Sequence, residues 1–202
     1  MSLSVGEYIP QTNSTRRPFI VWLVSVSLML SVVALIVGAP IAIASSHIKL
    51  GLTIYQAFST FCHQLPERSF FVAGYPFAVC ARCTGLYGGF TLLLILYPLV
   101  RPLRSVSVPS PKWLFLAAAP LFIDFSLTFL GIWENTHTSR LLTGILLGGV
   151  TAFYVMPGLV ELSLRLERRP QGPKKTSGTF TFASPDVIAT APSDYSAPER
   201  RI

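Results

Sequence analysis

Acidic residues are scarce in this chain: nine Asp and Glu stand against 16 Lys and Arg in 202 residues. Charge of either sign is scarce as well, at 12% of residues, where a soluble domain carries about 25%. A chain so short of charged groups and 51% hydrophobic cannot clothe a globule in water-facing side chains, and the class it points to is integral membrane. Thiols and imidazoles are equally few, three of each. An odd number of cysteines excludes full pairing within one chain. Also absent is a basic stripe interleaved with aromatics in a polar segment, which excludes nucleic-acid binding as the meaning of the net charge of +7. That excess of positive charge is read as membrane topology instead.

Four stretches are long and apolar enough to span a bilayer, which takes about 20 residues of helix. They are 19–44, 84–100, 113–133 and 141–160, with Asp124 the one charge among them. Basic residues fall before the first (Arg16, Arg17), between the second and third (Arg101, Arg104, Lys112) and after the fourth (Arg165, Arg168, Arg169, Lys174, Lys175). The positive-inside rule places all three of these segments in the cytoplasm. The expected fold is therefore an all-α integral membrane protein: a four-helix transmembrane bundle with an outer-face amphipathic segment and a Cys-bearing hairpin. Its expected organisation is a cytoplasmic N-terminus (1–17), a transmembrane domain (18–166) with its outer segment at 45–83, and a disordered cytoplasmic tail (167–202), rich in Pro, Ser, Thr and Ala. The expected location is the inner, cytoplasmic membrane, with the lipid bilayer as the first partner. The sequence around Ala39–Ser46 offers a small-residue cleavage site, but the apolar run before it is longer than the 7–15 residues of a signal peptide.

This topology sorts the chemistry to one side. Cys62, Cys80 and Cys83, with His47, His63 and His137, all fall on the outer side, and "FCHQLPERSFFVAGYPFAVCARCTG" holds every thiol. Upstream, Ile54, Phe58, Phe61 and Leu65 recur at helical spacing, as in a short helix lying in the membrane interface, with Cys62 and His63 at its end. Pro66, Gly74 and Pro76 then turn the chain. Cys80 and Cys83 fall at the cap or first turn of the second span, where free N–H groups and the positive helix end favour thiolate. Arg68 and Arg82 add positive charge.

Three chemistries remain open for these thiols. Cys62, Cys80 and Cys83 with His63 make the three-sulfur, one-nitrogen set typical of structural zinc, and His137 or His47 can replace His63. Alternatively the Cys-x-x-Cys is a redox couple, working with a quinone in the manner of membrane disulfide-forming enzymes, although those need a second thiol pair. The third is an inert disulfide with one spare thiol. No His follows "CARCT", so c-type haem attachment is not expected.

The elements "CHQLPERSFF", "GYPFAVCARCTGLYGG", "PLFIDFSLTFLG" and "SRLLTGILLGG" resemble those of a prokaryotic family of small predicted membrane proteins classified only as a domain of unknown function. The resemblance implies a polytopic membrane protein. It marks Cys62, His63, Gln64, Arg68, Cys80, Arg82, Cys83, Gly85, Asp124, Arg140 and Gly144 as signature positions. Family members often carry Asp-Gly where this chain has Asp124–Phe125.

Asp124, within a span, needs a partner, a proton or water. Arg140, at the outer start of the fourth span, is a partner to test, and a neutral packing role or a proton relay are the other readings. Gly144 and Gly148 have the small-residue spacing that lets helices approach closely, and Pro98, Pro120 and Pro157 can free helix carbonyls. Functionally, an outer metal site, a thiol oxidoreductase and a non-catalytic accessory subunit of a larger membrane complex all fit the sequence.

Overall fold

The computed structural model describes residues 16–167. The tail expected at 167–202 and the segment expected at 1–17 fall almost wholly outside the described residues. The described chain forms α1 (Arg16–Ala44), α2 (Ile48–Ser59), a 3-10 turn (Pro66–Arg68), β1 (Phe71–Val72), β2 (Tyr75–Pro76), α3 (Ala81–Val100), α4 (Lys112–Phe129) and α5 (His137–Glu167). Four of these, α1, α3, α4 and α5, are long and apolar enough to cross a membrane, in the same order as the four hydrophobic stretches.

Two boundaries differ from the hydropathy reading for visible reasons. The third apolar stretch runs on to Trp133, but α4 stops at Phe129. Gly131 sits at φ +69°, and its N–H bonds to the Thr128 carbonyl at 3.1 Å while that of Ile132 reaches the Leu127 carbonyl at 3.0 Å. This paired helix stop needs the left-handed conformation that glycine adopts freely. Likewise α2 stops at Ser59, so Phe61 and Leu65 do not extend its inward stripe; Phe61 is 78% exposed. The Ser59 and Thr60 hydroxyls bond back to the carbonyls of Gln56 and Ala57, and Pro66 keeps the residue before it extended. Within α2, Gly51 is buried and Ile54, Tyr55 and Phe58 are half-buried, while Ile48, Leu50 and Leu52 stay exposed.

Helices α3 and α5 meet backbone to backbone. A Cβ on Gly85 or Gly89 would strike the Leu141 or Ile145 carbonyl of α5, and one on Gly144 or Gly148 would strike the Arg82 or Leu86 carbonyl of α3. The contact is reciprocal, two glycines from each helix facing the other's main chain. In lipid, where no hydrophobic force pushes helices together, such close packing is a main source of their association.

Helix α1 is held through carbonyls that prolines release. A proline has no N–H, so the carbonyl four residues before it loses its helical donor. Pro98 frees Leu94, and the Trp22 indole of α1 donates to that carbonyl at 2.8 Å. Pro40 frees Ile36, and the Ala78 N–H, just before α3, takes it at 3.3 Å. Two clusters follow. Val26, Leu94, Tyr97, Ala152, Met156 and Val160 fill one. Ile36, Cys62 and Val79, flanked by Phe58, Phe77, Cys80, Cys83 and Tyr87, fill the other, at the end where the thiols lie.

The glycine contact gives a paired expectation. Gly148→Ala places its methyl against the Leu86 backbone and forces α3 from α5, whereas Gly88→Ala meets nothing within 4 Å. Gly148→Ala should lower the thermal midpoint in detergent, with an overpacking cost of about 1–3 kcal/mol, and Gly88→Ala should leave it unchanged. Equal midpoints for the two variants would remove the glycine contact as a determinant of the fold.

Candidate thiol cluster and adjoining cavity

The segment between α2 and α3 is built to bring Cys62 back to the start of α3. After α2, the Cys62 N–H still bonds to the Phe58 carbonyl at 3.0 Å, which fixes the thiol beneath the helix end. Gln64 then adopts φ +52°, a left-handed conformation that costs energy in a residue with a Cβ. Its side-chain amide returns something for that cost: Nε2 donates to the Tyr55 carbonyl at 2.7 Å and to the Ala78 carbonyl at 2.8 Å. One side chain thus ties α2 to the strand that leads into Cys80. The Tyr55 hydroxyl donates to the Pro76 carbonyl and adds a second tie. Between them, β1 and β2 pair antiparallel, Phe71 with Pro76 and Val72 with Tyr75. Ala73 and Gly74 at φ +51° and +83° make the tight turn, the mirror-image type that matches hairpin twist.

Cys80 is the N-cap residue of α3 and Cys83 lies in its first turn, as expected from the sequence. The three sulfurs lie within 4.8 Å of one another. Cys62 is buried and the other two are half-buried. The Cys80 N–H donates to the Cys62 sulfur at 3.2 Å. Hydrogen bonds from the Cys62 and Cys83 thiols hold the Cys80 thiol far below the ordinary thiol range, opposed by its partial burial; smaller contributions come from the Cys83 and Arg82 backbone amides at the helix start. Cys80 is therefore the natural thiolate of the three.

His63 does not join this group. It is exposed, and among the described residues the mutually close set holds only the three sulfurs. It lines a cavity of about 560 Å³ together with Cys62, Cys80, Gln64, Arg68, Arg82 and Arg140. His47 precedes α2 and is exposed. His137, also exposed, lies with its ring 5.7 Å from that of Phe70. Neither stands with the sulfurs.

Asp124 finds its arginine, but not the one expected. Arg82 Nη2 donates to Asp124 Oδ2 at 2.6 Å, and Arg140 makes no ion pair among the described residues. Asp124 lies five residues from the helix end at Phe129, roughly 7.5 Å at the helical rise, so it reaches the first turn of α3. Asn135, in the turn before α5, donates to the Asp124 side chain and to its carbonyl, the latter at 2.9 Å. Thr128 bonds to both Asn135 and the Asp124 carbonyl. Phe125 lies beneath the Arg82 guanidinium, with Cζ 5.8 Å from the ring centroid. Phe125 thus supplies a cation–π face to the guanidinium. Asn135 and Thr128 were not singled out from the sequence, and Phe125 was marked there only as a departure from the family's pattern. The one signal for Asn135 was the carboxylate itself, which needs donors and has a polar turn nearby.

A family model described as "Predicted membrane protein (DUF2085)" matches residues 62–154, beginning at Cys62 and including the other two cysteines, Asp124 and Asn135. An uncharacterized protein of Methanocaldococcus jannaschii is 34% identical over 113 residues, 56% of this chain and 72% of that protein. An uncharacterized protein of Methanothermobacter thermautotrophicus is 37% identical over 89 residues, 44% of this chain and 78% of that protein. No solved structure matches. The chain belongs to the DUF2085 family of predicted membrane proteins.

Proposed function

We propose that the chain is an integral membrane protein whose outer-face thiols hold a divalent metal of the zinc type, in a structural or complex-forming role. The observation that carries this reading is the convergence of three sulfurs, from two separate segments, within 4.8 Å of one another. Thiolates at a Zn–S distance of about 2.3 Å stand roughly 3.8 Å apart around a tetrahedron, so a small contraction closes the set. Cys62 comes from the turn after α2, and Cys80 and Cys83 from the start of α3. A metal shared by all three would clamp α2 to the bundle. His63 is the proposed fourth ligand, because it follows Cys62 and lines the same cavity; its ring would have to turn inward. On this reading α2, with Ile48, Leu50 and Leu52 exposed, lies along the membrane surface. Both termini are cytoplasmic and the thiols are on the outer side of the cytoplasmic membrane, as the distribution of basic residues supports.

The second reading is thiol–disulfide exchange, favoured by the depressed Cys80 thiol beside two further sulfurs. Two thiols would lose two electrons and two protons to a quinone, giving a disulfide and the quinol. Attack needs a thiolate, and the hydrogen bonds from Cys62 and Cys83 shift Cys80 toward that form.

Three measurements follow. Protein purified in detergent without chelators should carry one zinc per chain, lost in Cys62→Ser and Cys83→Ser and released faster to a chelator in His63→Ala. Absence of metal together with a reducible Cys–Cys bond sinks the metal reading and leaves the redox one. In metal-free protein, Cys80 should keep its thiolate absorbance as pH falls below the ordinary thiol value of about 8.5. Cys62→Ala, which removes the first hydrogen bond, should bring the thiolate's loss back toward that value; an unshifted titration would discount the cluster as the cause. For sidedness, intact cells expressing a cysteine-less variant should show Thr60→Cys labelled by a membrane-impermeant maleimide and Ser107→Cys protected. The reverse pattern inverts the topology.

A further inference from the structure

The cavity beside the thiols has an excess of cationic charge that the protein does not neutralise. Arg68, Arg82 and Arg140 all line it. The one carboxylate at hand, Asp124, is already engaged by Arg82 and Asn135. Among the described residues, Arg68 and Arg140 form no ion pair with any acidic side chain. The Arg82 Nε is buried and without a hydrogen-bond partner among the described residues. Arg82 and Arg140 are half-buried, and cations partly withdrawn from water with too little counter-charge favour an anion; Arg68, which is exposed, adds a further cation to the lining.

The shape of the lining says which kind. Guanidinium groups pair best with flat or tetrahedral oxyanions, to which they donate in pairs. Beside the polar side chains of Gln64, Thr128 and Asn135, Leu65, Phe125 and Phe129 give the cavity an apolar part. Phe129 is 79% exposed, at the last turn of a helix apolar enough to cross a membrane. A ligand with its charged head among the arginines would have an apolar surface leading from the cavity along α4.

We infer that this cavity binds a phosphate-type oxyanion, with Arg68 and Arg140 as its principal ligands and the Leu65–Phe125–Phe129 wall receiving an attached apolar chain. The site takes neither a metal nor a thiol as a ligand, so its arginine variants and the metal measurement test the two readings separately. Arg82 supports the site but is committed to Asp124, which leaves the other two arginines to set affinity.

The test uses full-length protein, delipidated in a neutral detergent and titrated with three probes: short-chain phosphatidylglycerol, phosphatidylcholine of the same chain length, and inorganic phosphate. Thermal midpoint and native mass spectrometry read binding, and bound metal is measured in the same samples. Phosphatidylglycerol should bind at least about tenfold more tightly than the zwitterionic lipid, the scale of one charge-assisted hydrogen bond. Arg68→Gln and Arg140→Gln should each remove most of that preference. Arg104→Gln, between α3 and α4 at the other end of the bundle, should retain it. Stabilisation by inorganic phosphate equal to that by phosphatidylglycerol, and lost in the same two variants, identifies a free oxyanion as the ligand and assigns the apolar wall no part. Equal binding of both lipids with no response to phosphate overturns the proposal, as does unchanged binding in both arginine variants.

Discussion

The first turn of α3, with Arg82 and Cys83, takes its place in the bundle from the backbone contact between α3 and α5. Gly85, Gly89, Gly144 and Gly148 remove the side chains that would hold the two main chains apart. They also fix the register, because each glycine faces a carbonyl on the other helix. The Arg82 carbonyl is one of those faced by Gly144, so the arginine's backbone is pinned where its side chain meets Asp124. Sliding α3 by one turn along α5, about 5.4 Å, would carry the guanidinium out of reach of the carboxylate. The glycines are remote from any chemistry, yet they set the level at which Arg82 meets Asp124.

The second constraint is that a membrane helix cannot leave a carbonyl without a donor at little cost. Pro40 and Pro98 each create such a carbonyl, and in both places the structure supplies a donor from another segment: Ala78 for Ile36 and Trp22 for Leu94. A proline that weakens its own helix therefore becomes a specific docking point. The Pro40 case matters most for the site. Ala78 also receives Gln64 on its carbonyl, so the residue two before Cys80 is gripped on both sides, by α1 through its N–H and by Gln64 through its oxygen. The approach of the chain to the α3 N-cap is fixed by hydrogen bonds before any thiol interaction is counted.

Much of this was legible in the sequence, and the limits have physical causes. Four long apolar stretches suffice to announce four helices, because little but a helix satisfies the backbone in lipid. Cys80 and Cys83 at the start of a span followed from where the apolar run begins. The small-residue spacing of Gly144 and Gly148 announced a close approach, though not that Gly85 and Gly89 would reciprocate it from α3. What hydropathy could not show is where α4 ends, since Leu130, Ile132 and Trp133 read as membrane while Gly131 stops the helix. Arg140 drew attention because it opens the fourth span at the outer face, whereas the Arg82–Asp124 pair depends on how α3 and α4 face each other, which hydropathy does not encode. Gln64 was marked by resemblance alone; its positive φ and double donation belong to the folded turn and have no one-dimensional signature.

The three sulfurs and the three arginines are best considered together, because Cys62 and Cys80 line the same cavity as the arginines. Three mutually close sulfurs are an awkward number for a disulfide. Whichever pair bonds, the third thiol stands beside the bond, in position for exchange. A metal uses all three at once, which is the physical ground for ranking it first. It also changes the local charge. Three thiolates around a divalent cation leave one net negative charge, set beside Arg82 and Arg140, the latter forming no ion pair among the described residues. Oxidation to a disulfide would instead remove negative charge from the wall and leave the arginines less compensated. Under the proposed readings, the state of the thiols and the cavity's attraction for an anion are thus linked through electrostatics across a shared wall of low dielectric. A metal-loaded cluster moderates that attraction, and a disulfide strengthens it.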